Sequence, residues 1–110
     1  MKQTEKQIEN AILSYLATIP TIKVWKNQTV GIFDPVKKVY RKTSKHSLKG
    51  VADIIGHQIG SGRSIYIEVK SKTGRLSKEQ KTFLTEAKEA GCIAFVARSL
   101  DDVISNLENY

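Results

Sequence analysis

Gly50-Val51-Ala52-Asp53-Ile54-Ile55-Gly56, followed by Ile65-Tyr66-Ile67-Glu68-Val69-Lys70, is the stretch on which the reading of this chain turns. Read as two strands, the second places Tyr66, Glu68 and Lys70 on one face and Ile65, Ile67 and Val69 on the other, because side chains alternate along a strand. Between them Gly60-Ser61-Gly62 lets the backbone reverse through positive-φ conformations, so the pair is expected to form a hairpin. Pairing then brings Asp53 onto the face of Glu68. Two carboxylates with an amine beside them form the oxygen-donor set that a hard divalent cation takes.

The 110 residues suit one compact domain, residues 1–110, with enough apolar content (40%) for a core. Eighteen Lys and Arg against eleven Asp and Glu leave a formal charge of +7, which favours a polyanionic partner, nucleic acid first. Cys92 is the sole cysteine, which excludes an internal disulfide or a cysteine-based zinc site. It stands in the apolar run Cys92-Ile93-Ala94-Phe95-Val96-Ala97, where an inert thiol is expected. His46 and His57 lack the spacing of a zinc pair. No stretch is long and apolar enough for a membrane span, and the N-terminus lacks a signal-peptide core, so a soluble protein with a cytoplasmic location is expected.

Outward from the hairpin, Thr4 is a candidate N-cap, and Ile8, Ile12, Tyr15, Leu16 and Ile19 recur at helical spacing until Pro20. On a helical wheel Glu5 falls about 40° and Glu9 about 80° from the centre of the apolar stripe, so Glu5 is expected to point inward more than Glu9. Glu5 is equally explained by the positive end of the helix dipole. Ile22 to Lys26 alternates as a strand, which Thr29 to Phe33 continues after a kink, and Asp34-Pro35 signals a turn. Lys37, Lys38, Arg41, Lys42, Lys45 and Lys49 make the densest positive segment, either a path for phosphates or a solvated loop. Downstream, Ser77 and Gln80 fit a capping box, while Gln80 also lies on the helix stripe that faces the sheet with Phe83, Leu84 and Ala87, so a structural and a substrate-contacting role both stand for it. Gly91 stops that helix, Cys92 to Ala97 reads as a strand covered on both faces, and Ser99 with Asp102 caps a last helix. The order is helix, three strands, helix, strand, helix: an α/β mixed sheet of about four strands with helices on both faces, including a parallel crossover from Ile65 to Ala97.

With Asp53, Glu68 and Lys70 set out, the chain resembles the PD-(D/E)XK nuclease superfamily, and within it the VRR-NUC (virus-type replication-repair nuclease) members of stand-alone phage or bacterial type. The residues that carry the resemblance are Gly50 to Gly56, Ile67-Glu68-Val69-Lys70, and Thr73-Gly74-Arg75-Leu76-Ser77 with Gln80. Ala52 stands where the superfamily's name has proline. The resemblance implies a restriction-endonuclease-like core and Mg²⁺- or Mn²⁺-dependent hydrolysis of DNA phosphodiester bonds. It implies that Asp53, Glu68 and the backbone carbonyl of Val69 hold the metal, that Lys70 and Gln80 act beside them, and that Glu5 approaches directly or through water. Lys72 and Arg75 then join the basic segment as DNA contacts.

The resemblance further implies an endonuclease acting on branched DNA, such as four-way (Holliday) junctions or flaps, working as a homodimer because symmetric cutting needs two sites. Two other readings stand beside it. A noncatalytic DNA-binding module accounts for the charge but leaves the acidic hairpin without a purpose, since carboxylates facing phosphates repel without a cation. A nuclease acting on RNA uses the same metal chemistry. As an isolated ion pair on a solvated strand, Glu68 and Lys70 would contribute only ~0–1 kcal/mol.

Overall fold

Thr4 starts the first helix in the manner its position predicts: its hydroxyl accepts from the Gln7 amide, and the Gln7 side chain returns to the Thr4 N–H. Helix α1 (Glu5–Leu16) buries Ile8, Ile12 and Leu16. It ends one turn before Pro20, and Ile19 packs on the core from the turn beyond it. The computed structural model describes residues 2–28, 32–41 and 47–110, with backbone alone at 32–34 and 39–41. Strand β1 (Ile22–Lys26) follows, and then a small antiparallel hairpin of β2 (Ile32–Asp34) and β3 (Val39–Arg41). That hairpin forms its own two-stranded sheet and does not extend β1. Chain reversal at Asp34-Pro35, signalled by the sequence, is what pairs the hairpin with itself.

The main sheet takes β4 (Ile54–Gln58), β5 (Ser64–Val69) and β6 (Ile93–Ala97) beside β1 in the order β1-β4-β5-β6. β1 and β4 are antiparallel, β4 and β5 are antiparallel with Ile54 opposite Ile67, and β5 and β6 are parallel with Glu68 opposite Val96. The expected hairpin is therefore present, and its turn places Gly60 and Gly62 at φ of 100° and 73°. Helix α2 (Lys78–Glu89) makes the crossover, and α3 (Leu100–Leu107) closes the fold.

Alternation along β5 and β6 sorts the core into two layers. Ile65, Ile67, Val69, Ile93, Phe95 and Ala97 pack with Ile8, Ile12 and Leu16 of α1 and Val103 of α3. Tyr66, Ala94 and Val96 face the other way onto Leu84, Ala87 and Phe83 of α2. Tyr66 and Phe83 meet edge to face with centroids 4.9 Å apart. Helices thus cover both faces of a mixed four-stranded sheet. His57 stands edge-on to Trp25 at 6.0 Å between centroids, a packing role, and no described helix is long and apolar enough to cross a membrane.

Gly50 ties the approach to β4 onto α2. Its φ is +82°, and a Cβ there would lie 2.5 Å from the carbonyl carbon of Glu79 and 2.8 Å from the Gln80 nitrogen. Both the backbone conformation and the space require glycine, and the atoms in the way are backbone atoms that cannot swing aside. Gly50→Ala is accordingly expected to cost at least about 2 kcal/mol and to lower Tm by roughly 8 °C or more in thermal unfolding followed by circular dichroism. An unchanged Tm would show that this contact carries no weight.

Candidate metal centre

Glu68 reaches the site because β5 delivers it to the α2 face, where it is 1% exposed. Its Oε1 accepts from Gln80 Nε2 at 3.0 Å and lies 3.8 Å from Lys70 Nζ. Its Oε2 is buried and has no hydrogen-bond partner among the described residues. Gln80 therefore caps the helix as its sequence position predicts and also reaches the Glu68 carboxylate. Its Oε1 accepts from the Ser77 N–H at 2.9 Å in the capping box, and its Nε2 grips the carboxylate.

Asp53 does not sit in a strand, contrary to the expectation for Gly50 to Gly56. β4 begins at Ile54, and Asp53 occupies a bend immediately before it. The cause is local competition for the backbone: Asp53 Oδ2 accepts from the Val69 N–H at 2.8 Å, so the side chain takes a position that a carbonyl would hold in a continued ladder. On the other side, the Asp53 carbonyl accepts from the Asn27 N–H at 2.7 Å and the Ala52 carbonyl from Asn27 Nδ2 at 3.2 Å. The bend is thereby held by the residue that follows β1 and by β5 together. A strand residue sends its N–H and its C=O to the same edge, so the carbonyl of Val69 belongs to the edge that faces Asp53.

The electrostatics follow from this crowding. Burial, then the neighbouring Asp53 charge and contact, then Glu5 push the Glu68 carboxyl up to about 8, while the Lys70 ammonium pulls in the opposite direction without offsetting them. The Asp53 and Glu68 carboxyl groups satisfy each other only when one carries a proton. With both ionised, Oε2 of Glu68 faces a like charge and lacks a donor. A divalent cation is the other species that removes the conflict, and an all-oxygen pair with an adjacent backbone carbonyl suits Mg²⁺ or Mn²⁺. No three His, Cys, Asp or Glu side chains among the described residues converge as a cluster able to hold an ion. The groups that could hold such an ion are the Asp53 and Glu68 carboxylates and the Val69 carbonyl.

The two glutamates of α1 are placed differently from the wheel. Glu5 is exposed, whereas Glu9 is 8% exposed and its Oε1 lies 3.6 Å from Lys26 Nζ. A wheel gives the direction around a helix axis but not the position along it. Glu5 occupies the first turn, where little covers it, and Glu9 sits one turn deeper beside the end of β1. Glu5 still adds a like charge to the field at Glu68.

Of the anticipated phosphate contacts, Lys37, Lys38, Lys49, Lys72 and Arg75 are exposed. Lys42, Lys45 and His46 lie outside the described residues, as does the side chain of Arg41. Sequence reasoning missed Asn27 and Arg98. Arg98 Nη1 donates to the carbonyls of Ser71 at 2.7 Å and Gly74 at 2.6 Å, pinning the loop that follows Lys70. Neither residue belongs to a periodic pattern, and both act through backbone groups distant in sequence.

Linkage gives the site a pH signature without metal. A carboxyl whose folded pKa is raised binds a proton more tightly in the native state than in the unfolded chain. Its contribution to stability is complete below about 4.5 and is lost as pH rises through about 8. Metal-free protein is expected to lose stability over this window by an amount on the order of a few kcal/mol, and Glu68→Gln should flatten the slope in urea titrations at several pH values. Equal slopes for the two proteins would contradict the assignment.

A family model described as the VRR-NUC domain matches residues 4–101, nearly the whole chain. No curated protein and no solved structure matches.

Proposed function

The chain belongs to the VRR-NUC family, a nuclease-type domain, and from that premise we propose that it is a metal-dependent endonuclease hydrolysing phosphodiester bonds in DNA, with branched DNA as its substrate. The observation that carries this reading is the buried Glu68 carboxylate, held on one oxygen by Gln80, without a donor among the described residues on the other, and set against Asp53. That arrangement is electrostatically costly unless something positive occupies it.

Asp53, Glu68 and the Val69 carbonyl would hold Mg²⁺ or Mn²⁺. The chemistry supplied by the ion when bound is polarisation of a phosphate oxygen and acidification of water. Gln80 keeps Glu68 in one rotamer, so Oε2 is the oxygen presented to the site. The Val69 N–H does the same for Asp53 by engaging Oδ2. Lys70, whose side chain is only 14% exposed, directs its ammonium into the same space from 3.8 Å. There it orients the attacking water and offsets the negative charge that grows on the phosphoryl oxygens in the transition state. Glu5, exposed on the first turn of α1, would accept a hydrogen bond from water entering the centre. The surplus of basic residues draws in the polyanion, and a two-fold dimer would supply the second site that symmetric cutting of a junction needs.

Purified protein incubated with four-way junction, flap, linear duplex and RNA substrates plus Mg²⁺ or Mn²⁺ tests the proposal. Cleavage of branched DNA, abolished by EDTA, is the expected result. Asp53→Ala and Lys70→Ala should each reduce the rate at least about a hundredfold with an unchanged circular dichroism spectrum. Absence of metal-dependent cleavage on every substrate would refute the reading, and preferential cutting of RNA would replace its substrate.

A further inference from the structure

A second feature lies at the C-terminal ends of β5 and β6 and is not used by the carboxylate pair. Lys2, Gln3, Ile8, Lys72, Arg98 and Ser99 line an open cavity of about 720 Å³. Three of the six are cations and none is a carboxylate. Its place in the fold is set by β5 and β6: the Lys70 N–H donates to the Ala97 carbonyl at 3.1 Å, so Arg98 emerges beside Lys70. Lys72 follows Lys70 by two residues, a reach of at most about 7 Å along the chain. The cavity therefore lies at the end of β5 and β6 from which Lys70 leaves the sheet.

Arg98 is the built part of this cavity. It is half-buried, and among the described residues its guanidinium donates through Nη1 alone, to Ser71 and Gly74. Its own N–H is taken by Asp102 Oδ2 at 2.8 Å. The guanidinium is thus held in place by carbonyls, which do not neutralise it, while among the described residues no acceptor takes the donors on Nε and Nη2. A planar fork fixed in this way suits two oxygens of a phosphate. Lys2 and Lys72 are exposed and add charge without fixing geometry.

We propose that this cavity binds a backbone phosphate of the nucleic-acid strand whose neighbouring phosphate lies at the Asp53–Glu68 centre. The inference rests on the nuclease reading and adds to it a seat for the cleaved strand. Arg98 sets the register, and Lys2 and Lys72 contribute to attraction. Through the Ser71–Gly74 loop, the same guanidinium couples occupation of the seat to the segment that carries Lys70. An internal phosphodiester and a terminal phosphate present the same oxygens, so strands with a 5′-hydroxyl and with a 5′-phosphate separate the two sources.

The test is fluorescence anisotropy of labelled single-stranded DNA, with Ca²⁺ in place of Mg²⁺, over a salt series. In the Lys2→Ala/Lys72→Ala double variant the affinity should fall about tenfold and the slope of log affinity against log salt should shrink by roughly 1. Lys88→Ala, at the far end of α2, should leave both unchanged. Arg98→Lys keeps the charge but loses the fork, so its slope should stay while affinity falls roughly tenfold. Loss on 5′-hydroxyl strands identifies an internal diester, and loss confined to 5′-phosphorylated strands identifies a terminal one. An unchanged slope in the double variant, or an equal loss in Lys88→Ala, overturns the cavity assignment while wild-type cleavage leaves the nuclease reading intact. Wild-type protein that neither binds nor cuts DNA contradicts both.

Discussion

A carboxylate that is 1% exposed and faces another carboxylate is the constraint on which the rest of this structure depends. Removing Glu68 from water costs several kcal/mol if it is ionised, and Asp53 adds repulsion to desolvation. Lys70 at 3.8 Å offsets only part of this, since the carboxyl group remains pushed up to about 8. The fold therefore holds a conflict that a proton or a cation resolves, and a site of that kind distinguishes sharply between its empty and occupied states.

Much of the surrounding structure keeps that conflict from relaxing. Gln80 is anchored at the start of α2 by its capping box and so cannot leave Glu68 without also loosening the helix N-terminus. Gly50 lets the chain pass directly against that same turn before it reaches Asp53. Asn27, the residue after β1, fixes the Ala52 and Asp53 carbonyls, and Val69 fixes the Asp53 carboxylate from β5. Four residues from separate parts of the chain thus position two side chains.

The main sheet and its two apolar layers were legible in the sequence because alternation in Ile65 to Lys70 and the continuous apolar run to Ala97 state directly which face each residue takes. The three helix starts were legible for the same local reason: Thr4, Ser77 and Ser99 each cap within three residues. Where the reading departed from the structure, the deciding interaction was nonlocal or positional. Asp53 left the strand because its side chain bonds to a residue sixteen positions away. Glu9 rather than Glu5 is buried because depth along α1, which angular spacing does not encode, sets coverage. Arg98 showed no signal at all, since a single arginine after a strand has no pattern until Ser71 and Gly74 are brought to it.

Isothermal titration calorimetry of Mn²⁺ into the metal-free protein at pH 7, repeated in buffers of different ionisation enthalpy, addresses the Glu68–Asp53 conflict most directly. A proton held by the pair at that pH must leave when a cation enters. The account predicts saturable binding with release of about one proton, and loss of both signals in Glu68→Gln. Binding that is absent in the wild type, or that survives unchanged in Glu68→Gln, would contradict it.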